Sequence, residues 1–372
     1  MKVLHFYKTY LPDTIGGVEQ VINQIARGTE GMGVTTEVLT LSPNLGDSTI
    51  KIDGHLVHRC HTNFEIASTP FSIAAFSQFR RMAQEADLIH YHFPYPFADI
   101  LHFATRVNKP TLVSYHSDIV QQMRLLKLYK PLRNHFLSSI DHIVAASPNY
   151  LESSDVLSRL KYKTSVIPYG LDKVSYPTAS ENTKALWRER LGPRFFLFIG
   201  VIRYYKGLHI LVEAARNSHY PVVIGGAGPV EHELKLQAEK LDVQNVYFLG
   251  FLSEDDKVAL LELCYALVFP SHLRSEAFGI SLLEGAMYGK PLISCEIGTG
   301  TSFINIDRDT GLVVEPDNSS SFQDAMNYLW DNPKEALAMG RRAELRYWEM
   351  FTADQMARSY MGLYKQLLDE NV

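Results

Sequence analysis

Several features that would set this chain apart from ordinary globular proteins are missing from its sequence. It has three cysteines, and their wide separation supports neither a disulfide framework nor a zinc site: Cys60, Cys264 and Cys295. No apolar run approaches the roughly 20 residues that cross a bilayer. The first residues, MKVLHFYKTYLPD, lack the apolar core and the small-residue cleavage site of a secretory signal. We therefore expect a cytoplasmic protein.

An overall excess of basic charge is also absent. The formal net charge is −5, and lysine and arginine outnumber the acids by only one in residues 1–172. A nucleic-acid partner is not indicated, because such proteins present a basic footprint. The exception is the stretch 119–140, which has no acidic residue and contains four basic ones: Arg124, Lys127, Lys130 and Arg133.

What the sequence does contain is a repeated alternation of short apolar strands with helical segments. Six strands are predicted before residue 172, from KVLHFY to TSVIPYG, and six more after residue 194, from FFLFIGV to TGLVVEP. This rhythm is typical of parallel sheets covered by helices. The polar segment 172–194 is interpreted as a linker. We therefore predict two doubly wound α/β domains, 1–172 and 173–351, followed by a helix in 352–372 that packs on either domain.

Ligands of such domains bind beyond the carboxyl ends of the strands, so the residues that follow each strand are the candidates. Gly16 and Gly17 follow the first strand and begin a helix, where backbone N–H groups can approach an anion; a plain tight turn is the alternative. His116 follows a later strand, and a purely structural histidine is the alternative there. Arg203 and Lys206 precede a helix and could converge on one anion, unless they are solvated surface charges.

The stretch SEAFGISLLE, residues 275–284, places two carboxylates eight positions apart around a helix start. Glu276 lies in the loop, Glu284 lies within the helix, and the free N–H groups of residues 278–281 fall between them. An acceptor, donors and a second acceptor suit a sugar hydroxyl, a phosphate and a sugar diol in turn. A helix-capping role for Glu276 is the alternative.

These motifs, GGVEQ, SYHSD, VIRYYKGL, GGAGP and above all E-x7-E, resemble the retaining glycosyltransferases of family 4 over nearly the whole chain. The resemblance implies the GT-B architecture, with two Rossmann-like domains facing a central cleft, the acceptor in the N-terminal domain and the donor in the C-terminal one. It gives catalytic roles to His116 and Glu276, both toward the transferred sugar. The donor-binding residues that it implies are Gly16, Gly17, Arg203, Lys206, Leu252, Glu254, Lys257, Phe278, Gly279, Ile280 and Glu284. Among these, Glu284 would bind the ribose, Arg203 and Lys206 the diphosphate, and Leu252, Glu254 and Lys257 would surround the base.

At the finer level, LHFYKTYLPDTIGGVEQVI and EIGTGTSFIN look like O-antigen mannosyltransferases. The expected reaction moves mannose from GDP-mannose, with retention, to a lipid-linked oligosaccharide in lipopolysaccharide biosynthesis. No cofactor and no metal are expected, because the cations and the helix start can neutralise the diphosphate. Asp307 and Asp309 spell DxD, which we interpret as a turn. The alternatives are a UDP-sugar transferase, a nucleotide-sugar epimerase and a non-catalytic sugar-nucleotide-binding subunit.

The basic stretch suggests contact with an anionic membrane surface, where a lipid-linked acceptor would lie. Its apolar residues follow helical spacing: Leu125, Leu128, Leu132 and Phe136. An ordinary surface helix with a core-facing stripe is the alternative. Pro131 is expected to bend or end the helix.

Overall fold

The computed structural model describes residues 1–44, 46, 48–119 and 123–370, with only the backbone described for residues 123 and 124. The chain divides into two compact units, residues 1–170 with 353–372 and residues 171–352. All twelve predicted strands are present.

The first unit is built on one large sheet. The strands of the unit are β1 (Lys2–Phe6), β2 (Thr35–Ser42), β3 (Thr49–Ile52), β4 (His55–His61), β5 (Phe64–Ile66), β6 (Thr69–Phe71), β7 (Leu88–Phe93), β8 (Thr111–Tyr115), β9 (His142–Ala145) and β10 (Thr164–Val166), and all but β5 and β6 belong to this sheet. Its helices are α1 (Gly17–Glu30), α2 (Ala74–Glu85), α3 (Pro96–Thr105), α4 (Met123–Ser139) and α5 (Pro148–Ser153). The sheet order is β10-β9-β8-β7-β1-β2-β4-β3, and only β3 runs antiparallel to its neighbour. Its central strands are buried on both faces, as covered parallel strands are.

The region 49–71 contains two short hairpins that were not predicted. Strands β3 and β4 are joined by Asp53 and Gly54, both with positive φ, as a two-residue hairpin turn requires. Strands β5 and β6 form a separate antiparallel pair. The predicted alternation of strands with helices does not reveal these hairpins, because the two strands of a hairpin are joined by a short turn and need no crossover helix.

The second unit is a six-stranded parallel sheet with helices on its faces. Its strands are β11 (Phe196–Ile199), β12 (Val222–Gly225), β13 (Val246–Gly250), β14 (Ala266–Phe269), β15 (Leu292–Cys295) and β16 (Gly311–Val314), in the order β13-β12-β11-β14-β15-β16. Its helices are α6 (Glu181–Leu191), α7 (Leu208–Ala214), α8 (Glu231–Lys240), α9 (Glu254–Leu263), α10 (Ile280–Met287), α11 (Thr301–Ile304), α12 (Ser319–Asp331) and α13 (Pro333–Met350). A short 3-10 turn, Tyr204–Lys206, lies between β11 and α7.

The interpretation of residues 172–194 as a linker was wrong for its second half, where helix α6 forms. Ser180 caps this helix by accepting from the backbone N–H of Thr183 at 3.1 Å. The helix is bound to α9 through Trp187, whose Nε1 donates to Asp256 at 2.9 Å. The helix is polar in composition, but one of its faces is bound to α9.

The last helix, α14 (Ala353–Asp369), was predicted and belongs to the first unit. It packs closely on α1 at Gly28, where a Cβ atom would lie 2.5 Å from the Cβ of Ala357. A larger residue at position 28 would push the two helices apart. Within the described ranges, no helix is both long enough and apolar enough to span a bilayer.

Candidate active site

Glu276 and Lys206 form a buried ion pair in the second unit. Lys206 ends the 3-10 turn after β11, and Glu276 lies in the loop after β14, the strand next to β11 in the sheet. The Lys206 Nζ donates to Glu276 Oε2, while the Ser271 hydroxyl lies 3.4 Å from the same oxygen. Lys206 is 9% exposed and Glu276 is 8% exposed. The pairing orients the carboxylate and leaves it near the carboxyl edge of the sheet, where ligands of such sheets bind.

Glu284 lies in a second lysine–carboxylate cluster. It is buried within α10, and its Oε1 accepts from the Tyr176 hydroxyl at 2.8 Å and lies 3.4 Å from Lys257 Nζ. Lys257 also contacts Glu254 at 2.8 Å. Burial alone would lower the pKa of Lys257, but the charges of Glu284 and Glu254 outweigh it and raise that pKa. Burial, with the charge of Glu284 added, raises the pKa of Tyr176. The cluster therefore holds a charged lysine between two carboxylates.

Helix α10, which contains Glu284, begins at Ile280, after Glu276 in the sequence. Gly279 is its N-cap with φ of 103°, a conformation that favours glycine, and no side chain caps the helix. Phe278 is buried just before it, and Ile280 is half-buried. The uncapped first turn of α10 therefore lies between Glu276 and Glu284 in sequence, in the order of groups that the sequence predicted.

Of the other residues predicted in this unit, Arg203 is exposed and does not join Lys206 on a shared partner. Leu252 is half-buried and lies against the end of β12, because a Cβ atom at Gly225 would be 2.5 Å from its Cδ1. The DxD pair has structural partners. Asp307 accepts from the backbone N–H of Val313 at 2.9 Å, and Asp309 lies 3.0 Å from the Arg342 guanidinium.

In the first unit, Gly16 and Gly17 begin α1, as predicted, but a carboxylate of the chain itself reaches back to them. Glu19 is buried in the first turn, and its Oε1 accepts from the Thr9 hydroxyl at 2.7 Å and the Thr14 hydroxyl at 2.9 Å. A Cβ atom at Gly16 would lie 2.5 Å from Glu19 Oε2. Gly16 is therefore needed for this close approach, and a phosphate binding at this helix start would meet the negative charge of Glu19.

His116 lies in a chain of buried histidines. Its Nδ1 contacts the Tyr169 hydroxyl at 2.5 Å, and its Nε2 contacts His92 Nδ1 at 2.9 Å. The other nitrogen of His92 contacts His5 Nδ1 at 2.9 Å. Burial lowers the pKa of His5 and of His116 to about 3, so both rings are neutral. Both nitrogens of His116 have partners within its own unit.

His90 extends this cluster toward helix α14. Its ring contacts the Tyr364 hydroxyl at 2.8 Å and the Ser114 hydroxyl at 2.7 Å. One ring nitrogen from each of His5, His90 and His92 lies within 4.8 Å of the others, a spacing that a metal ion would accept. The hydrogen bonds among these rings and hydroxyls use the same nitrogens, so we interpret the cluster as a self-satisfied polar network.

The basic helix α4 differs from the prediction in three ways. It continues through Pro131 as one helix. Arg133 is buried, with its Nη2 donating to Asn134 at 2.8 Å, so it is no part of a surface patch. Leu125 and Leu128 are exposed instead of facing the core, whereas Phe136 is buried. Lys127 and Lys130 are exposed, as the membrane interpretation requires, and the side chain of Arg124 lies outside the described residues.

Four participants in these sites were missed in the sequence: Tyr176, Ser271, His5 and His92. Tyr176 and Ser271 were not singled out, because a lone tyrosine or serine in a loop carries no spacing signal. The lysine partners of the two glutamates are 70 and 27 positions away in sequence, so only the fold reveals the pairing. His5 and His92 did carry a signal, since polar rings recur within strands that are otherwise apolar.

Two doubly wound α/β units with parallel sheets are the architecture of the GT-B fold. The solved structures agree with this fold. A sucrose-phosphate synthase from Thermosynechococcus elongatus matches with a TM-score of 0.80 at 17% identity, over 99% of both chains. WaaG, a glycosyltransferase involved in lipopolysaccharide biosynthesis, matches with a TM-score of 0.69 at 16% identity, over 97% of this chain and 99% of its own.

Sequence comparisons identify the family. The family model "Glycosyltransferase Family 4" matches residues 15–174, and "Glycosyl transferases group 1" matches residues 180–346. The chain is 58% identical to the D-rhamnosyltransferase WbpZ of Pseudomonas aeruginosa, over 95% of this chain and 93% of the relative. It is 51% identical to the O-antigen chain mannosyltransferase C of Escherichia coli, over 99% of both. The chain belongs to glycosyltransferase family 4 and is a glycosyltransferase.

Proposed function

We propose that this enzyme transfers D-mannose from GDP-mannose, with retention of configuration, to a lipid-linked oligosaccharide during O-antigen assembly. The observation that supports the reaction most directly is the arrangement of Lys206–Glu276 and Lys257–Glu284 on either side of the α10 start. The proposal of mannose as the sugar and of an O-antigen chain as the acceptor is based on the Escherichia coli relative, which is similar over the full length.

In the proposed mechanism, the second unit binds the donor. Lys206 has three N–H donors, so it can keep its bond to Glu276 while it binds a phosphate oxygen. Arg203, one turn earlier and exposed, can rotate onto the same diphosphate, and the uncapped N–H groups of α10 add to the positive potential. This charge stabilises the leaving phosphate as the anomeric bond breaks, which is where the transition state needs it most.

The two glutamates have separate roles in this proposal. Glu276 accepts hydrogen bonds from hydroxyls of the transferred mannose, in an orientation fixed by Lys206. Glu284 accepts from the ribose diol, and Leu252, Glu254 and Lys257 surround the guanine base. No carboxylate is then left to act as a nucleophile across the scissile bond, as a double-displacement mechanism would need. We therefore infer a front-face reaction in which the leaving phosphate helps to deprotonate the acceptor hydroxyl.

The first unit contributes two further candidates. Gly16 and Gly17 would approach the donor phosphates through backbone N–H groups, provided that Glu19 gives way or a cation shields it. His116 would hydrogen-bond the donor sugar. Only its Nδ1 is suited to this, because its Nε2 is bound to the fully buried His92. A sugar oxygen would have to share or replace the bond between Nδ1 and Tyr169.

A second donor, GDP-D-rhamnose, is favoured by the relative from Pseudomonas aeruginosa. D-Rhamnose is mannose without its 6-hydroxyl group, so one pocket could accept both sugars. A site that bonds the 6-hydroxyl rejects the deoxy sugar strongly, because its own polar groups are left unpaired, whereas a pocket without such a bond discriminates weakly.

A donor screen tests this proposal. Calorimetry would compare GDP-mannose, GDP-D-rhamnose, UDP-glucose, UDP-N-acetylglucosamine and UDP-galactose, with turnover followed as GDP release in the presence of a lipid-linked acceptor. We expect the GDP sugars to bind at least about tenfold more tightly than the UDP sugars, a difference of roughly 1.4 kcal/mol.

EDTA should leave turnover intact, since lysine, arginine and helix N–H groups neutralise the diphosphate. Preference for a UDP sugar, or a strict metal requirement, would refute this assignment.

We further propose that helix α4 contacts an anionic membrane surface. Lys127 and Lys130 are exposed, and Leu125 and Leu128 are exposed on the same helix, with Leu128 at 80%. Cations beside apolar side chains are the composition of helices that rest on a lipid surface. The buried Arg133 is excluded from this contact.

Reversing both lysines, Lys127→Glu with Lys130→Glu, is expected to abolish salt-sensitive binding to vesicles that contain anionic lipid. Each basic residue near such a surface contributes about 1 kcal/mol, so the loss should be at least about 30-fold in partition coefficient. Cosedimentation measures it, with GDP-mannose binding as the check on folding. The control, Lys51→Glu with Lys161→Glu, changes the charge equally at two other exposed positions of the same unit. Equal losses from both pairs would mean that α4 has no special part in the contact.

A further inference from the structure

The buried histidines His5, His92 and His116 form a hydrogen-bonded chain in the first unit, and the number of ring protons limits the directions in which they can donate. A neutral imidazole has one N–H donor and one acceptor nitrogen. His92 is bonded to histidines through both nitrogens, so it donates to one neighbour and accepts from the other. The same holds for His5 and His116, whose outer nitrogens contact Tyr364 and Tyr169 respectively. The direction of donation must therefore be the same at every step.

Only two arrangements satisfy this constraint. In the first, all three histidines carry their proton on Nδ1, so that His5 donates to His92, His92 to His116, and His116 to the Tyr169 oxygen. In the second, all three carry it on Nε2, so that Tyr169 donates to His116 and the chain ends with His5 donating to the Tyr364 oxygen. A mixed arrangement would bring two N–H groups, or two lone pairs, face to face inside a buried network, which is costly.

We propose that His5 and His92 are positioning residues that give His116 a single tautomer, shared by all three rings and set by the tyrosines at the two ends. One of these tyrosines, Tyr364, lies on the C-terminal helix α14, 3.5 Å from His5 Nε2. The tautomer decides whether His116 Nδ1 donates to a sugar oxygen or accepts from a sugar hydroxyl. This consequence rests on the proposed role of His116, whereas the coupling of the rings does not.

The two end tyrosines should favour opposite tautomers, so that only the variant that disfavours the wild-type form should switch. Without the Tyr364 hydroxyl, an Nε2 proton on His5 would be a buried donor with no acceptor, so Tyr364→Phe should move all three histidines to the Nδ1–H form. Without the Tyr169 hydroxyl, an Nδ1 proton on His116 would lose its acceptor, so Tyr169→Phe should move all three to the Nε2–H form. Orphaned buried N–H groups are rarer in proteins than orphaned acceptors, which gives the direction.

Nitrogen-15 NMR of histidine-labelled full-length protein tests the coupling, because protonated and bare ring nitrogens resonate far apart. The 14 histidines would be assigned by single substitutions to glutamine. The wild-type spectrum alone must show one shared tautomer for His5, His92 and His116, so the test does not depend on any variant folding. Tyr347→Phe is the control, since this buried hydroxyl donates to the Leu171 carbonyl at 2.8 Å in the second unit.

Different tautomers among the three rings in the wild-type protein would overturn the proposal. So would a move to the Nε2–H form in Tyr364→Phe, a move to the Nδ1–H form in Tyr169→Phe, the absence of a switch in both variants, or a switch in Tyr347→Phe. Turnover is measured in parallel, and the variant whose tautomer switches is expected to show a roughly tenfold fall in kcat at unchanged GDP affinity. If the tautomers switch together while kcat stays constant, the coupling stands and the contact between His116 and the donor sugar is refuted.

Discussion

Glu276→Gln is expected to lower kcat by at least about 100-fold while the affinity for GDP stays within about threefold of the wild-type value. The amide is isosteric, so the loop keeps its shape, but a neutral group cannot hold the buried Lys206 as a carboxylate does. A charge-assisted hydrogen bond to the sugar is replaced by a weaker one, and the lysine is partly released. Losing one preorganised polar group in an active site costs about this much in turnover.

Glu284→Gln should show the opposite pattern. This carboxylate contacts Lys257 and Tyr176, in the cluster that we assign to the nucleoside. The loss of a hydrogen bond to a charged group costs about 1 to 3 kcal/mol, so the Kd for GDP should rise roughly 5- to 150-fold. If both variants weakened GDP equally, the separate assignments of the two glutamates would be wrong.

Both effects must be separated from a loss of stability, because removing one partner of a buried ion pair is itself destabilising. Glu262→Gln is a control for the loss of a lysine–carboxylate contact away from the site: its carboxylate lies 2.9 Å from Lys184 in the same unit, is more exposed, and has no proposed contact with the substrate. Thermal melting of all three variants, with calorimetric titration of GDP, separates folding, nucleotide binding and turnover.

The sequence was sufficient for the parts of this protein in which local pattern and global fold agree. The parallel strands appear as apolar runs because both of their faces are covered, and Glu276, Gly279 and Glu284 keep their order around a helix start because that order is local. The failures were non-local. Nothing near position 276 indicates that Lys206 lies against it, and nothing near position 133 indicates that this arginine is buried.

The polar segment 172–194 shows the limit of composition as a guide. Helix α6 was interpreted as a linker because its residues are mostly polar, but its polar side chains are bonded to α9, as in the contact from Lys184 to Glu262. Binary patterning finds helices that bury an apolar stripe. Binary patterning does not detect a helix that is held in place by hydrogen bonds and ion pairs.

The buried histidines lead to the second large effect, which concerns pH. His5, His90 and His92 are fully buried and His116 is 5% exposed. Burial lowers the pKa of all four, to about 3 for His5 and His116 and well below 6.5 for His90 and His92. An unfolded histidine titrates near 6.5. Below that pH the unfolded chain therefore binds more protons than the folded one, so stability is complete above about pH 7 and falls as the pH decreases.

At pH 5.5, each such histidine costs roughly 1.4 kcal/mol, and four together cost on the order of 5 kcal/mol, which is as large as the whole stability of many domains. We therefore expect the first unit to unfold on mild acidification. All three tryptophans, Trp187, Trp330 and Trp348, belong to the second unit. Far-UV circular dichroism should then reveal a transition between about pH 6 and pH 5 in which tryptophan fluorescence changes little.

Urea titrations at pH 8 and pH 5.5 measure the size of this effect. His92→Asn is the informative variant, because it keeps polar atoms in the chain but cannot take up a proton at these pH values. It should be less stable than the wild-type protein at pH 8, yet lose less stability between the two pH values, by roughly 1.4 kcal/mol, since one titrating group is gone. The urea midpoint of the wild-type first unit could instead stay constant from pH 8 to pH 5.5. These histidines would then take up protons in the folded state as readily as in the unfolded chain, and the network would not be the neutral chain described above.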